Sequence, residues 1–180
     1  MTMTPEARVR AGGVVLVFDA PNVSVKKLFA LASVVKNHGN GLRLVVPMTA
    51  HVEKIARLRR EKRERYDAAQ VAQSLGDVGV DILPLDMAAA ELIAERLCAW
   101  FPSSDAWQDA KWRRLHGDQP RSASKHPPAT VDWFTAASCP PDGIVVTGDS
   151  RGEFSSCETI HPDALERVLR EMAAASGTAG

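Results

Sequence analysis

The run Val14-Val15-Leu16-Val17-Phe18 constrains this chain more than any other segment; Gly12-Gly13 release it and Asp19 ends it. Apolar residues in unbroken succession leave no polar face for water, so a strand built from them must be covered on both sides. Leu42 to Val46, closed by Pro47, reads as a second buried strand, Val80 to Leu83 as a short third and Ile144 to Thr147 as a fourth, while Cys157 to Ile160 suits a last edge strand. Helical spacing fills the intervals: Leu28, Leu31, Ala32 and Val35 follow Ser24 as a cap and stop at His38-Gly39-Asn40-Gly41. Thr49 stands as the cap of a helix bearing Val52, Ile55 and Ala56 on one face, and Asp86 precedes Ala89, Leu92, Ile93 and Leu97. Pro162 opens a closing helix with Leu165, Val168, Leu169 and Met172. Uniformly apolar strands alternating with amphipathic helices predict an α/β fold, a three-layer α/β/α sandwich around a central parallel β-sheet.

The alternation is interrupted twice. Arg57 to Arg65 holds six basic residues and two glutamates with almost no apolar face, and is expected to project into water. Asp105 to Leu115 reads as a helix carrying Trp107 and Trp112, and Gly117 to Ala129 as a mobile basic loop. Thr130 restarts a helix with Val131, Phe134 and Ala137 as its inner face. The expectation is one domain over 1–180 with its core at about 14–170, a flexible leader at 1–11 and a frayed tail at 174–180. Twenty-two basic against twenty-two acidic residues exclude a simple polycation, so nucleic-acid binding would need a local patch. Cys98, Cys139 and Cys157 are too few and too scattered for a disulfide framework or zinc site, which points to a cytoplasmic protein. No stretch has signal-peptide or membrane-spanning character.

Two strands each deliver an acid at the carboxyl end, Asp19 and Asp149, and neighbouring strands would bring those acids together. Glu53 lies early in the helix after the second strand, and Asp132 in the first turn of the helix before the strand ending at Asp149. In parallel sheets ligands sit beyond the carboxyl ends of the strands, where the strand order reverses. Each acid also has an ordinary reading: Asp19 as a cap, Asp149 as a turn residue, Glu53 paired with Arg57, Asp132 set against a helix dipole. Together they are more demanding, because clustered carboxylates repel in low dielectric unless protons or cations offset the charge. Mg²⁺ and Mn²⁺ suit an all-oxygen pocket and serve in-line phosphoryl displacement.

Val17-Phe18-Asp19-Ala20-Pro21-Asn22-Val23, Leu44-Val45-Val46-Pro47 through Thr49 to Glu53, Asp132-Trp133-Phe134-Thr135-Ala136-Ala137 and Val145-Val146-Thr147-Gly148-Asp149 resemble, in order and spacing, the four acidic motifs of the PIN-domain nucleases. The resemblance covers about Val14 to Leu169. It implies that Asp19, Glu53, Asp132 and Asp149 bind Mg²⁺ or Mn²⁺ and cleave RNA, with Asn22, Thr147 and Ser150 in support. Asn22 follows Asp19 after two residues rather than the usual one, which is closer to the NYN branch of the same fold. The ending Asp149-Ser150-Arg151-Gly152-Glu153-Phe154 is longer than the family's Asp-x-Asp-Phe, and leaves the role of Glu153 open.

RNA would need a phosphate-binding surface, for which Arg57, Arg59 and Arg60, and Lys111, Arg113 and Arg114 around Trp112, are the candidates. The partners expected are RNA, an antitoxin protein if the chain is the toxin of a toxin–antitoxin pair, and a second copy in a homodimer. The alternatives are a non-catalytic RNA- or protein-binding module on the same fold, and a receiver-like phosphoacceptor domain that would use Asp19.

Overall fold

The computed structural model describes all residues except 1, 2, 39, 63–66, 150, 151 and 178–180. Strands β1 (Val15–Phe18), β2 (Arg43–Pro47), β3 (Val80–Leu83), β4 (Gly143–Val146) and β5 (Thr159–Ile160) form one sheet in the order β3-β2-β1-β4-β5. Every pairing is parallel, with Leu16 beside Leu44 on one side and Ile144 on the other. β1 and β4 are buried at every position, as their unbroken apolar runs require.

Alternate residues of each strand feed two separate cores. Leu16, Phe18, Leu44, Val46, Ile144 and Val146 pack against Leu28 of α2 (Val25–His38), Leu75 of α4 (Ala68–Asp77) and Leu165 and Leu169 of α8 (Pro162–Gly177). Val15, Val17, Val45 and Val145 pack on the opposite face, against Trp100 at the end of α5 (Met87–Trp100) and Ala136 of α7 (Val131–Ala137). The result is the three-layer α/β/α sandwich expected from the strand pattern. Two further helices, α3 (Met48–Lys62) and α6 (Ser104–His116), complete the α5–α7 side, with α3 packed on α7. Among the described residues no helix is long and apolar enough to cross a membrane. All three cysteines are free thiols, and burial pushes that of Cys139 up to about 12.

The structure departs from the sequence expectations at several places. The leader is not a loose segment: Pro5–Ala11 forms α1, capped by Thr4 and opened by Pro5, with Val9 fully buried. One apolar side chain is enough because Arg8 and Arg10 are tied to Glu158 and Glu171, which hold the helix down on β5 and α8. The chain can turn from α1 into β1 because Gly12 sits at φ 84°, and a Cβ there would run into the Asn40 carbonyl. Residues 174–177 continue α8, so that part of the tail is helical.

Helix α3 begins one residue before Thr49, whose hydroxyl lies 2.9 Å from that of Thr135 and links α3 to α7 instead of capping. On α3, Ile55 is buried but Val52 is 58% exposed, so the inner face is narrower than the spacing suggested. The basic run is helical through Lys62, and its last residues lie outside the described ones. Helix α4, capped by Asp67, fills the interval between the basic run and β3. On α7 the inner residues are Trp133, Ala136 and Ala137, while Val131 is exposed.

The loop 117–129 is organised around an internal cation rather than presenting a free one. The Arg121 side chain is 7% exposed, bonds to Asp109 and Asp105 of α6, and donates to the Lys125 carbonyl. Val9→Ala should lower the unfolding free energy by about 2 kcal/mol, measured by denaturant titration, because it removes two buried methyl equivalents and leaves a void. An undocked leader would show no change.

Candidate active site

The order β3-β2-β1-β4-β5 reverses between β1 and β4, and the residues following those two strands share one crevice at their carboxyl ends. Asp19 leaves β1 directly and is 6% exposed. Its Oδ1 accepts the Ala20 N–H at 2.7 Å, capping the short 3-10 turn Ala20–Asn22, and its Oδ2 accepts the Thr147 hydroxyl at 3.2 Å. The capping role and the site role therefore fall on the same carboxylate. Thr147, 3% exposed, also accepts the Asp149 N–H at 3.1 Å, so one hydroxyl sets the distance between the ends of β1 and β4. Asn22 donates its amide to the Val146 carbonyl at 3.2 Å and thereby fastens the first loop to β4. Ser150 lies outside the described residues.

Electrostatics show which acids share the crevice. Burial raises the Asp19 carboxyl above its ordinary value; the bonds from Ala20 and Thr147 oppose this, and the charges of Glu53 and Asp149 add to it. Burial pushes Asp132 up to about 6, with the charges of Asp19, Glu153 and Glu53 adding and Arg114 opposing. Asp19 thus lies in the fields of Glu53 and Asp149, and Asp132 in those of Asp19 and Glu53. Asp149 is exposed at the mouth, Glu53 and Asp132 are part-buried, and Asp19 is deepest.

A fifth acid belongs with them. Glu153 is 2% exposed, and its Oε1 accepts both the Arg114 Nε–H and the Thr130 hydroxyl, each at 2.7 Å. Thr130 precedes α7 but makes no side-chain capping bond, because its hydroxyl is turned to Glu153. The charge of Glu153, with Asp132 and Asp149 farther off, keeps Arg114 firmly protonated. The only sequence hint of this role was an acid next to an apolar residue in Gly152-Glu153-Phe154, now seen as a buried 3-10 turn.

The proposed RNA-contacting residues separate into three groups. Arg57, Arg59 and Arg60 are exposed on α3, where Arg60 donates to the Ala56 carbonyl. Lys111 is a correction: it is 7% exposed, with its Nζ 5.3 Å from the Trp107 ring centre, and burial together with the charge of Arg121 lowers its ammonium value. It points inward because α6 turns that face to the core, so it is not a surface contact. Arg113 stands exposed, whereas Arg114 sits at the acids. Trp112 donates to the Gln119 carbonyl at 2.6 Å and holds the following loop.

The donors are all hard oxygens, which fits Mg²⁺ or Mn²⁺. Among the described residues, no three acidic, histidine or cysteine side chains are drawn close enough to ligate one ion as they stand. The set therefore fits an ion that keeps several of its waters and touches one or two carboxylates. Compared with protein-family models and with curated proteins, the chain matches none.

For Asp132 the folded-state value lies above the ordinary 3.8, so the folded protein binds this proton more tightly than the unfolded chain does. The stability gained is complete below about pH 4 and is lost as pH rises through about 6. Asp132→Asn should therefore unfold at higher temperature than the wild type above pH 6, with the gap closing toward pH 4 in thermal melts at a series of pH values.

Proposed function

We propose that the protein is a metal-dependent ribonuclease of the PIN type, hydrolysing RNA phosphodiesters at the crevice between β1 and β4. The observation that carries this reading is the convergence of Asp19, Glu53, Asp132 and Asp149 at the strand-order reversal, with Asp19 and Asp132 pushed upward by burial and by neighbouring acids. Carboxylates this crowded destabilise the fold at neutral pH unless a cation joins them, which is a cost that a purely structural role does not explain.

Of Asp19, Asp132, Asp149 and Glu53, one or two would touch the ion and the others would hold its waters. When bound, Mg²⁺ or Mn²⁺ would offset charge on the phosphate oxygens and make a water more acidic. The chain's own groups supply orientation and exclusion. Thr147 holds the Asp19 carboxylate and the Asp149 backbone in one arrangement, so Asp19 need not reorganise when the substrate arrives. Asn22 ties the Asp19 loop to β4, and the Thr49–Thr135 contact keeps the helix bearing Glu53 against the helix bearing Asp132.

Purified protein should cleave single-stranded RNA with Mn²⁺ and stop with EDTA. Asp19→Asn and Asp149→Asn should abolish cleavage while keeping the folded circular-dichroism spectrum. Thr147→Val, which loses only the orienting hydroxyl, should lower activity by roughly 10- to 100-fold. Full cleavage by both aspartate variants would remove the site. RNA binding that persists without any metal-dependent cleavage would favour the non-catalytic binding module.

A further inference from the structure

Beside the acids lies a cavity of about 420 Å³ whose walls include Trp100, Phe101 and Trp133, with Arg113, Arg114 and Gly152 also lining it. Its volume is within the range of small-ligand sites. Phe101 and Trp133 meet edge to face, with ring centres 5.9 Å apart at 88°, and Trp107 backs Trp133 at 5.0 Å. These rings are braced by one another, so a flat ligand meets a wall that is already ordered. Gly152, at φ 59°, places no side chain on its part of the wall.

Arg114 joins this cavity to the crevice. Its Nε is taken by Glu153, and among the described residues no hydrogen bond takes Nη1 or Nη2. The guanidinium is thus fixed along one edge by a buried carboxylate, and its other edge is available to an anion. The same group lies in the fields of Asp132 and Asp149. An anion held there would stand next to the acids, and whatever is attached to it can enter the aromatic cavity.

We infer that this cavity is a nucleotide subsite, in which Arg114 holds a phosphate of the RNA strand beside the carboxylates and the Trp100–Phe101–Trp133 walls receive the adjoining base. The inference rests on the nuclease reading for the place of that phosphate in the reaction. Aromatic walls and an arginine suit the unstacked base of a single strand, because stacking on a ring and a fork of N–H donors on a phosphate act together. Glu153 and Thr130 are positioning residues, since they act through Arg114. The site would make cleavage sensitive to the nucleotide next to the cut.

Titration calorimetry with the four 5′-nucleoside monophosphates in EDTA separates this from the chemistry. At least one should bind more tightly than inorganic phosphate or the free nucleoside. Trp100→Ala and Arg114→Gln should each weaken it about tenfold or more. Arg114→Lys, which keeps the charge and loses the fork, should fall between, and Glu153→Gln, which keeps an acceptor for Arg114, should lose less than Glu153→Ala. Trp100→Phe keeps an aromatic wall and should retain binding even if the alanine variant folds poorly. Nucleotide binding that none of these substitutions changes, or no nucleotide binding at all, would overturn the subsite. Cleavage that requires Asp19 alongside such indifference would leave the nuclease reading standing alone. Substitution-sensitive nucleotide binding without any cleavage would keep the subsite and remove the nuclease.

Discussion

Where β1 pairs with β4, two segments far apart in the chain present their carboxyl ends side by side, and the crevice exists only because of that pairing. The sheet grows from β1 toward β2 and β3 on one side and resumes with β4 and β5 on the other. Successive crossovers therefore leave toward opposite edges, and the loops that follow β1 and β4 part to leave a hollow. Asp19 occupies the floor of that hollow because it is the first residue after a strand buried on both faces. Thr147 then converts strand adjacency into side-chain geometry through a bond to Asp19 and one from the Asp149 amide.

Charge balance is the second constraint. Asp19 is acted on by the charges of Glu53 and Asp149, and Asp132 by burial first and then by the charges of Asp19, Glu153 and Glu53, so that Asp132 sits at about 6. The charge of Glu153 is answered within the fold, by Arg114 and by the Thr130 hydroxyl. It works as an anchor for Arg114.

Much of the fold was legible in the chain. Strand positions followed from apolar runs of four or five residues, and most helices from their caps and spacing, because burial on both faces of a sheet leaves little latitude in residue type. Helix α1 was missed because a single Val9 makes no periodic pattern; its docking relies on ion pairs to Glu158 and Glu171, which are remote in sequence. The inner face of α7 was misplaced because Trp133, which looks amphipathic in isolation, is drawn inward by Phe101 and Trp107. Lys111 read as a surface cation, yet its ammonium lies against Trp107, and a sequence does not say which side of a short basic helix meets the core.

By itself the sequence determined most of the elements, the parallel sheet, and which strands end in acids, since these depend on local spacing and on the need to bury apolar residues. Only the tertiary structure decided which acids meet, that Glu153 holds Arg114, and that an aromatic cavity opens beside them. Those outcomes depend on strand order and on contacts between residues 20 to 130 positions apart. Hydrophobic pattern specifies that a segment is covered, whereas partner choice among distant side chains is settled by the packing of the whole chain.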